Sequence, residues 1–363
     1  MTIDELFSIK IDQPETKIRA LSKQKWDALA KPIDGLGDFE ELVCRIAAIK
    51  GTVSPGPLKK ALIIMCADNG VVKEGVSQTG QQVTYDVTAL MGERKSSVGI
   101  LTQNYPLDIL VCDVGVNCAD TPGGVIDKKV CRGTADFVKE PAMSSAQCLA
   151  AISAGIELVK ECRDKNIDIV ATGEMGIGNT TTSTALLCAI TGAAPEACTG
   201  KGSGLSEEGL EQKIRVIKEG LRLHLGERME SGALSQTEVF EAMRCLGGLD
   251  IAGLAGVYIG GAIYGIPVVV DGLISAVAAL AAERIVPGCK EYMIASHMGR
   301  EKGMEILVKE LSLKPVIFAD MALGEGTGAV MLFPILDMVL SLYQSGTSFA
   351  STSIEQYERF EQR

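Results

Sequence analysis

The segment Leu323-Gly324-Glu325-Gly326-Thr327-Gly328-Ala329 sets one carboxylate among three glycines beside an apolar stretch. A carboxylate flanked by glycine next to an apolar strand is poorly solvated, which raises its pKa and suits a general base. The alternative is a Glu at the start of the following helix, stabilised by the helix dipole. Residue types alone leave both open. Gly173-Glu174-Met175-Gly176-Ile177-Gly178-Asn179-Thr180-Thr181-Thr182 follows a strand pattern and opens a helix pattern. Its glycines let the backbone approach a ligand, Asn179 or Thr180 can cap the helix, and free N–H groups there favour an anion such as a phosphate. The segment is neither a P-loop nor a GxGxxG, so a purely structural turn is the competing reading. Gly200-Lys201-Gly202-Ser203-Gly204-Leu205 is a second phosphate-compatible loop, followed by a helix carrying Lys213. A single Lys on a charged helix reads as a solvated side chain. His297, one of two histidines, reads as a positioning residue.

These segments fall where strands end. Asp68-Asn69-Gly70, Asp113-Val114-Gly115, Thr172-Gly173-Glu174, Asp271-Gly272, Ser296-His297 and Leu323-Gly324-Glu325-Gly326 each close an apolar run. One such end is ordinary turn chemistry. Several on one edge predict a shared rim, because open parallel sheets bind ligands beyond the carboxyl ends of their strands.

The elements that must hold that rim are legible as alternating runs. Ala61–Cys66, Leu107–Asp113, Ile167–Ala171, Pro267–Asp271, Glu291–Ala295 and Pro315–Ala319 read as strands. Helices are predicted over 145–163, 178–191, 207–226, 236–245, 273–284, 299–311 and 327–343, the first with Ser144 or Ser145 as N-cap. Strands apolar on both faces and separated by helices imply an α/β fold with a mostly parallel sheet covered on both sides. Helical spacing at Ile18–Leu29 and Phe39–Ile49 precedes the change of texture at Leu58. The expected organisation is a large α/β domain over 58–343 and a smaller helical domain from 1–57 and 344–363.

Composition narrows the function. The 363 residues carry a net charge of −11, which argues against a nucleic-acid or anionic-membrane surface. Eleven cysteines without a CxxC, and only two histidines, give no zinc or thioredoxin signature. The cysteines read as small buried hydrophobes of a reducing compartment, and the N-terminus lacks a signal-peptide pattern, so a cytoplasmic protein is expected. Ile251–Val270 is free of charge and has Gly256 and Gly260 at GxxxG spacing, which admits a membrane span. The glycines and Pro267 favour a helix followed by a buried strand.

Gly75-Val76-Ser77, Gln82-Val83-Thr84, Asp113–Val116, Arg132–Phe137, Glu140–Met143, Gly173–Thr182, Gly247–Gly253, Pro267–Gly272 and Leu323–Ala329 occur in this order. With these motifs, from about Trp26 to the 327–343 helix, the chain resembles the nicotinate-nucleotide–dimethylbenzimidazole phosphoribosyltransferase family. The resemblance implies a Rossmann-like sheet with a small helical domain from both chain ends, and no cofactor or metal. It implies transfer of 5-phosphoribosyl from nicotinate mononucleotide to an aromatic base in cobamide biosynthesis, giving an α-ribotide and nicotinate with inversion at the anomeric carbon. It assigns the catalytic base to Glu325, places Glu174 at the substrate, and gives nucleotide binding to Gly176, Gly178, Asn179, Thr180 and Lys213. Glu174 is expected to be catalytic too, stabilising positive charge that develops at the ribose. Ser77, Tyr85, Met175, Gly202, Ser203, Asp271, Ser296 and Leu323 are expected against the substrates.

Departures from the family pattern lie at Asn69, Thr79, Gly80, Ser96-Ser97-Val98-Gly99 and Ala322. Those from 69 to 99 border the acceptor side in the family, leaving a benzimidazole, a phenol such as p-cresol, or a purine as acceptor. The implied assembly is a homodimer, or a heterodimer with a paralogous subunit if the acceptor is a phenol. A dinucleotide-dependent oxidoreductase on the same fold lacks its GxGxxG, and a non-catalytic scaffold would not need Glu325.

Overall fold

Apolar runs buried on both faces can form strands only inside a covered sheet. The computed structural model, which describes residues 1–202, 204–226 and 234–359, contains such a sheet. Its six strands are β1 (Lys60–Ala67), β2 (Asp108–Gly115), β3 (Ile126–Asp127), β4 (Ile169–Met175), β5 (Val268–Val270) and β6 (Met293–Ala295). They lie in the order β3-β2-β1-β4-β5-β6, and every neighbouring pair is parallel. The chain builds outward from β1 through β2 to β3, then returns to the other side of β1 at β4. That reversal opens a crevice at the carboxyl ends of β1 and β4, where ligands bind in such sheets.

Side-chain alternation along β1 separates two cores. Ala61, Ile63, Met65 and Ala67 pack with the helices Ser145–Asp164 and Leu249–Tyr264 on one face. Leu62, Ile64 and Cys66 pack on the other face with Leu336 and Phe333 of the helix Thr327–Ser345 and with Trp26 and Val43 near the N-terminus. The chain ends meet there: Trp26 stacks on Tyr343 at 4.8 Å between centroids, and Leu29 bridges to Ser348.

The Ile251–Val270 run is a core helix followed by β5. The helix Leu249–Tyr264 is buried continuously from Leu249 to Ala262, and its small residues seat it against the helix Ser145–Asp164. A Cβ at Gly256 would overlap the Ile152 carbonyl, and one at Gly260 would lie 3.0 Å from the Val159 Cβ. The GxxxG spacing therefore serves close helix packing under the sheet. Gly256→Ala must push two backbones apart, and we expect a loss of about 3 kcal/mol in urea unfolding. An unchanged midpoint would contradict this packing account. The helix Thr327–Ser345 is long and apolar enough to cross a membrane, yet 56% of that window is buried within the fold.

Several expectations need correction. The Pro315–Ala319 run does not join the main sheet. As β8 (Ile317–Met321) it pairs in parallel with β7 (His297–Gly299), a strand too short to show in the sequence. β8 is also largely exposed, with Phe318 at 74%. The helix expected over 299–311 covers Met304–Leu311, because Gly299 still belongs to β7. Ser144 is the N-cap of its helix, with a complete capping box to Gln147.

Candidate active site

A cavity of about 940 Å³ opens beyond β4 and β5, bounded by the loop after β1, the β7–β8 pair and the turn before the helix Thr327–Ser345. Its size is within the range of small-molecule sites.

One wall is built for an anion. β4 ends in the Gly-rich turn, and Gly178, with φ of 92°, starts the helix Asn179–Thr191 without a side-chain cap. Lys213 projects inward from the helix Glu207–Leu225, on the same face as Val216, Ile217 and Gly220. Its ammonium donates to Thr180 Oγ1 at 2.8 Å and to the Gly200 carbonyl at 3.3 Å. Burial pulls its pKa down to about 8. A buried ammonium bonded to neutral oxygens beside a helix N-terminus favours an incoming phosphate. Gln78 ties the adjoining loops together by donating from its side-chain amide to the Gly204 carbonyl.

The opposite wall carries carboxyl groups. Gly324, Glu325 and Gly326 have φ values of 91°, 59° and 81°, three successive left-handed residues. For Glu325 this conformation costs roughly 1–2 kcal/mol, and such strain persists where the surrounding structure enforces it. Gly173 lies directly beneath, where a Cβ would come within 2.7 Å of the Glu325 carbonyl. Asp271, buried at the end of β5, accepts from the Ala329 N–H at 2.9 Å. Burial pushes it up to about 7, against the pull of the backbone amides of Ala329, Gly272, Gly328 and Gly326. Asp271 thus clamps the start of the helix that follows Glu325. Glu325 is half-buried, and its Oε2 accepts from the Val98 N–H at 2.9 Å. Val98 belongs to the Ser96–Gly99 departure, so that stretch touches this carboxylate.

Glu174, near the end of β4, lines the same cavity beside these carboxyl groups. Burial foremost, then the charge of Asp250, pushes its pKa up to about 8, while a hydrogen bond from the Asn179 side chain opposes the rise. Residue types alone did not mark Glu174 as a raised carboxyl group.

The comparisons agree with this geometry. A phosphoribosyltransferase family model matches residues 11–354. The chain is 39% identical over 358 residues to a Clostridium acetobutylicum protein named nicotinate-nucleotide–dimethylbenzimidazole phosphoribosyltransferase, covering 99% of each. It is 38% identical to the protein of the same name from Ruminiclostridium cellulolyticum, covering 99% of this chain and 100% of that one. The chain belongs to the nicotinate-nucleotide–dimethylbenzimidazole phosphoribosyltransferase family. The crystal structure of CobT from Thermus thermophilus superimposes with a TM-score of 0.85 at 33% identity, over 94% of this chain and 100% of that one. The protein is thus a pentosyltransferase on a mostly parallel α/β fold.

In this phosphoribosyltransferase the cavity brings together Ser77, Glu174, Met175, Gly176, Gly178, Asn179, Thr180, Gly202, Lys213, Asp271, Leu323 and Glu325. Ser203 lies outside the described residues. Two expected residues do not line the cavity. Tyr85 packs half-buried on the core, and the helix Gln82–Gly92 presents Val87 instead. Ser296 is fully buried behind the site, its hydroxyl donating to the Val270 carbonyl at 2.6 Å and meeting His297 Nδ1 at 3.0 Å. His297 itself lines the cavity, with its pKa lowered by burial.

The shared rim is smaller than expected. Asp113 serves turn chemistry, accepting from the N–H groups of Gly115 and Val116 and pairing with Lys129 at 3.1 Å. Asp68 accepts from the Asn117 N–H at 2.8 Å, and neither Asp lines the cavity. Lys213 is 1% exposed rather than solvated. Asn179 does not cap its helix; its amide serves Glu174 and Asp250. Asn69 lies beneath the Gly-rich turn, where its side-chain amide is 3.1 Å from the space a Cβ on Gly176 would occupy. Residue types also missed Arg300 and Lys302, cations on the cavity lip whose turn was read as helix.

Proposed function

We propose that this chain transfers the 5-phosphoribosyl group of nicotinate mononucleotide to an aromatic base, giving an α-ribotide and nicotinate. The observation that carries this reading is one cavity with an anion-binding wall at Gly178, Thr180 and Lys213 and a carboxyl wall at Glu174 and Glu325. The phosphate sits at Lys213 and the start of the helix Asn179–Thr191, which places the ribose toward the carboxyl groups. The donor's pyridinium leaves with the electron pair of its C1–N bond as a neutral ring, so no acid is needed to protonate it. The base attacks C1 from the opposite face, which inverts the anomeric carbon. Glu325 takes the ring N–H proton as the new bond forms. Glu174, pushed up to about 8 by burial, is neutral at pH 7 and donates a hydrogen bond to the bound substrates.

The acceptor proposed is a benzimidazole, the base in the relatives' names, lodged against the apolar side chains of Val76, Val87, Met175 and Leu323. The test measures nicotinate released from nicotinate mononucleotide with dimethylbenzimidazole, phenol, p-cresol or adenine in separate reactions. Release that depends on added base, fastest with the benzimidazole, is expected. Release independent of base would replace transfer with hydrolysis, and faster release with a phenol would reassign the acceptor. The working assembly proposed is a homodimer, supported by the exposed apolar side chains Met331, Met338 and Leu342 along one helix. A monomeric mass by light scattering at assay concentration would contradict it.

A further inference from the structure

Asp250, the second residue of the helix Leu249–Tyr264, is fully buried and is not among the cavity-lining residues. Its Oδ2 accepts from the Asn179 side-chain amide at 3.1 Å, and its Oδ1 accepts from the Ile251 N–H at 3.0 Å. The same Asn179 nitrogen donates to Glu174 Oε2. A carboxamide NH₂ has two hydrogens, and here both are committed, one to each of two buried carboxyl groups. Asn179 therefore cannot turn without breaking a bond to one of them.

Among the described residues, no cation forms an ion pair with either carboxyl group. Asp271 at the end of β5 and Glu325 in the left-handed turn add negative charge toward Glu174, and Asp68 after β1 adds it toward Asp250. The Cys66 thiol of β1 is raised by burial foremost, with the Glu174 charge a smaller contribution. His297 lines the same cavity, and its pKa is lowered by burial. The Lys213 ammonium bonds to Thr180 and Gly200 instead. Two carboxyl groups bridged by one neutral amide, out of water, do not both ionise readily. Burial pushes Asp250 to about 6, with the Asn179 side chain and the Ile251 amide opposing the rise. Glu174 is pushed to about 8 by burial and then by Asp250. Burial raises both groups and the Asp250 charge raises Glu174 further, so a proton held by the pair favours Glu174.

We propose that Asp250 is a positioning residue for the transfer: through Asn179 it fixes the Glu174 carboxyl group at the cavity wall, and its charge keeps Glu174 in the neutral, hydrogen-bond-donating form. The inference rests on the reaction proposed above. It adds a buried carboxylate, outside the substrate's reach, that sets the pH range over which the site works.

Asp250→Asn keeps the shape and removes the charge; its one oxygen accepts from Asn179, and the Ile251 N–H loses its side-chain acceptor. The test measures kcat against pH at saturating nucleotide and base, where Lys213 is held charged by bound phosphate. Wild-type kcat is expected to fall as pH rises through the ionisation of Glu174. Removing the Asp250 anion makes Glu174 easier to ionise, so in Asp250→Asn the fall starts about one pH unit lower, with KM at pH 6.5 within about twofold. A limb that stays in place, or a uniform loss at every pH, would overturn the proposal. Infrared spectra of wild type and Glu174→Gln supply a second reading that needs neither turnover nor the Asp250 variant. A neutral carboxylic acid band lost in Glu174→Gln at pH 7 is expected, and its absence would overturn the proposal. A wild type that shows the band but releases no nicotinate would overturn the reaction and leave the Asp250–Glu174 coupling standing.

Discussion

Glu325→Gln lowers kcat by about 10²–10⁴-fold, the range for loss of a general base, with the fold intact. Gln fills the same space and offers an oxygen to the Val98 N–H, so the left-handed turn and the Asp271 clamp on the helix after it stay in place. What is lost is the ability to take a proton. KM for nicotinate mononucleotide should change by less than about threefold, because in the proposed binding mode the phosphate is held at Lys213 and an interaction made only in the transition state affects kcat. Steady-state kinetics beside a thermal melt checks both halves. Full activity in a folded Glu325→Gln protein would remove Glu325 from the proton transfer.

Lys213→Met raises KM for nicotinate mononucleotide by roughly 10–100-fold, as expected for losing hydrogen bonds from a charged group. Met keeps the apolar stem of the side chain, which lies beside Val216 and Ile217. Replacing a buried ammonium that has no carboxylate partner among the described residues by an apolar group is neutral or stabilising, so the melting temperature should hold or rise while binding weakens. The pH dependence has a definite sign. Burial lowers the Lys213 pKa to about 8, so the ammonium is charged below that pH and lost above it. In the wild type kcat/KM for the nucleotide falls as pH rises through that region, and in Lys213→Met that part of the fall disappears. An unchanged KM in the variant would move the phosphate elsewhere in the cavity.

β1, β2 and β4 were legible because each is a long apolar run with no polar face, and only a covered strand tolerates that pattern. β3 and β7 have two and three residues, too few for any periodicity. The Pro315–Ala319 run looked like a core strand because apolar residues read alike in a central sheet and an exposed pair; only the pairing partner separates them. The Gly-rich turn and the Leu323–Ala329 turn were legible as candidates, but residue types alone left a structural role open for each, and the family motifs favoured the site. The electrostatics were less so. Burial raises Glu174, yet its depth depends on Asp250 and Asn179, which lie 76 and 5 positions away along the chain. Lys213 carries its own signal: Val216, Ile217 and Gly220 share its helical face, and a Lys set within an apolar stripe points toward the core. Asp250 had a similar one, as the acidic residue opening a charge-free run whose helix had to be buried.

The most direct test of the account is the identity of the product when nicotinate mononucleotide and dimethylbenzimidazole react with the purified chain. Mass spectrometry would count ribotide against nicotinate, and proton NMR would give the configuration at C1. Direct displacement with proton transfer to Glu325 predicts one α-ribotide per nicotinate released, and almost none from Glu325→Gln. A β-configured ribotide, or free ribose 5-phosphate in place of a ribotide, would contradict it.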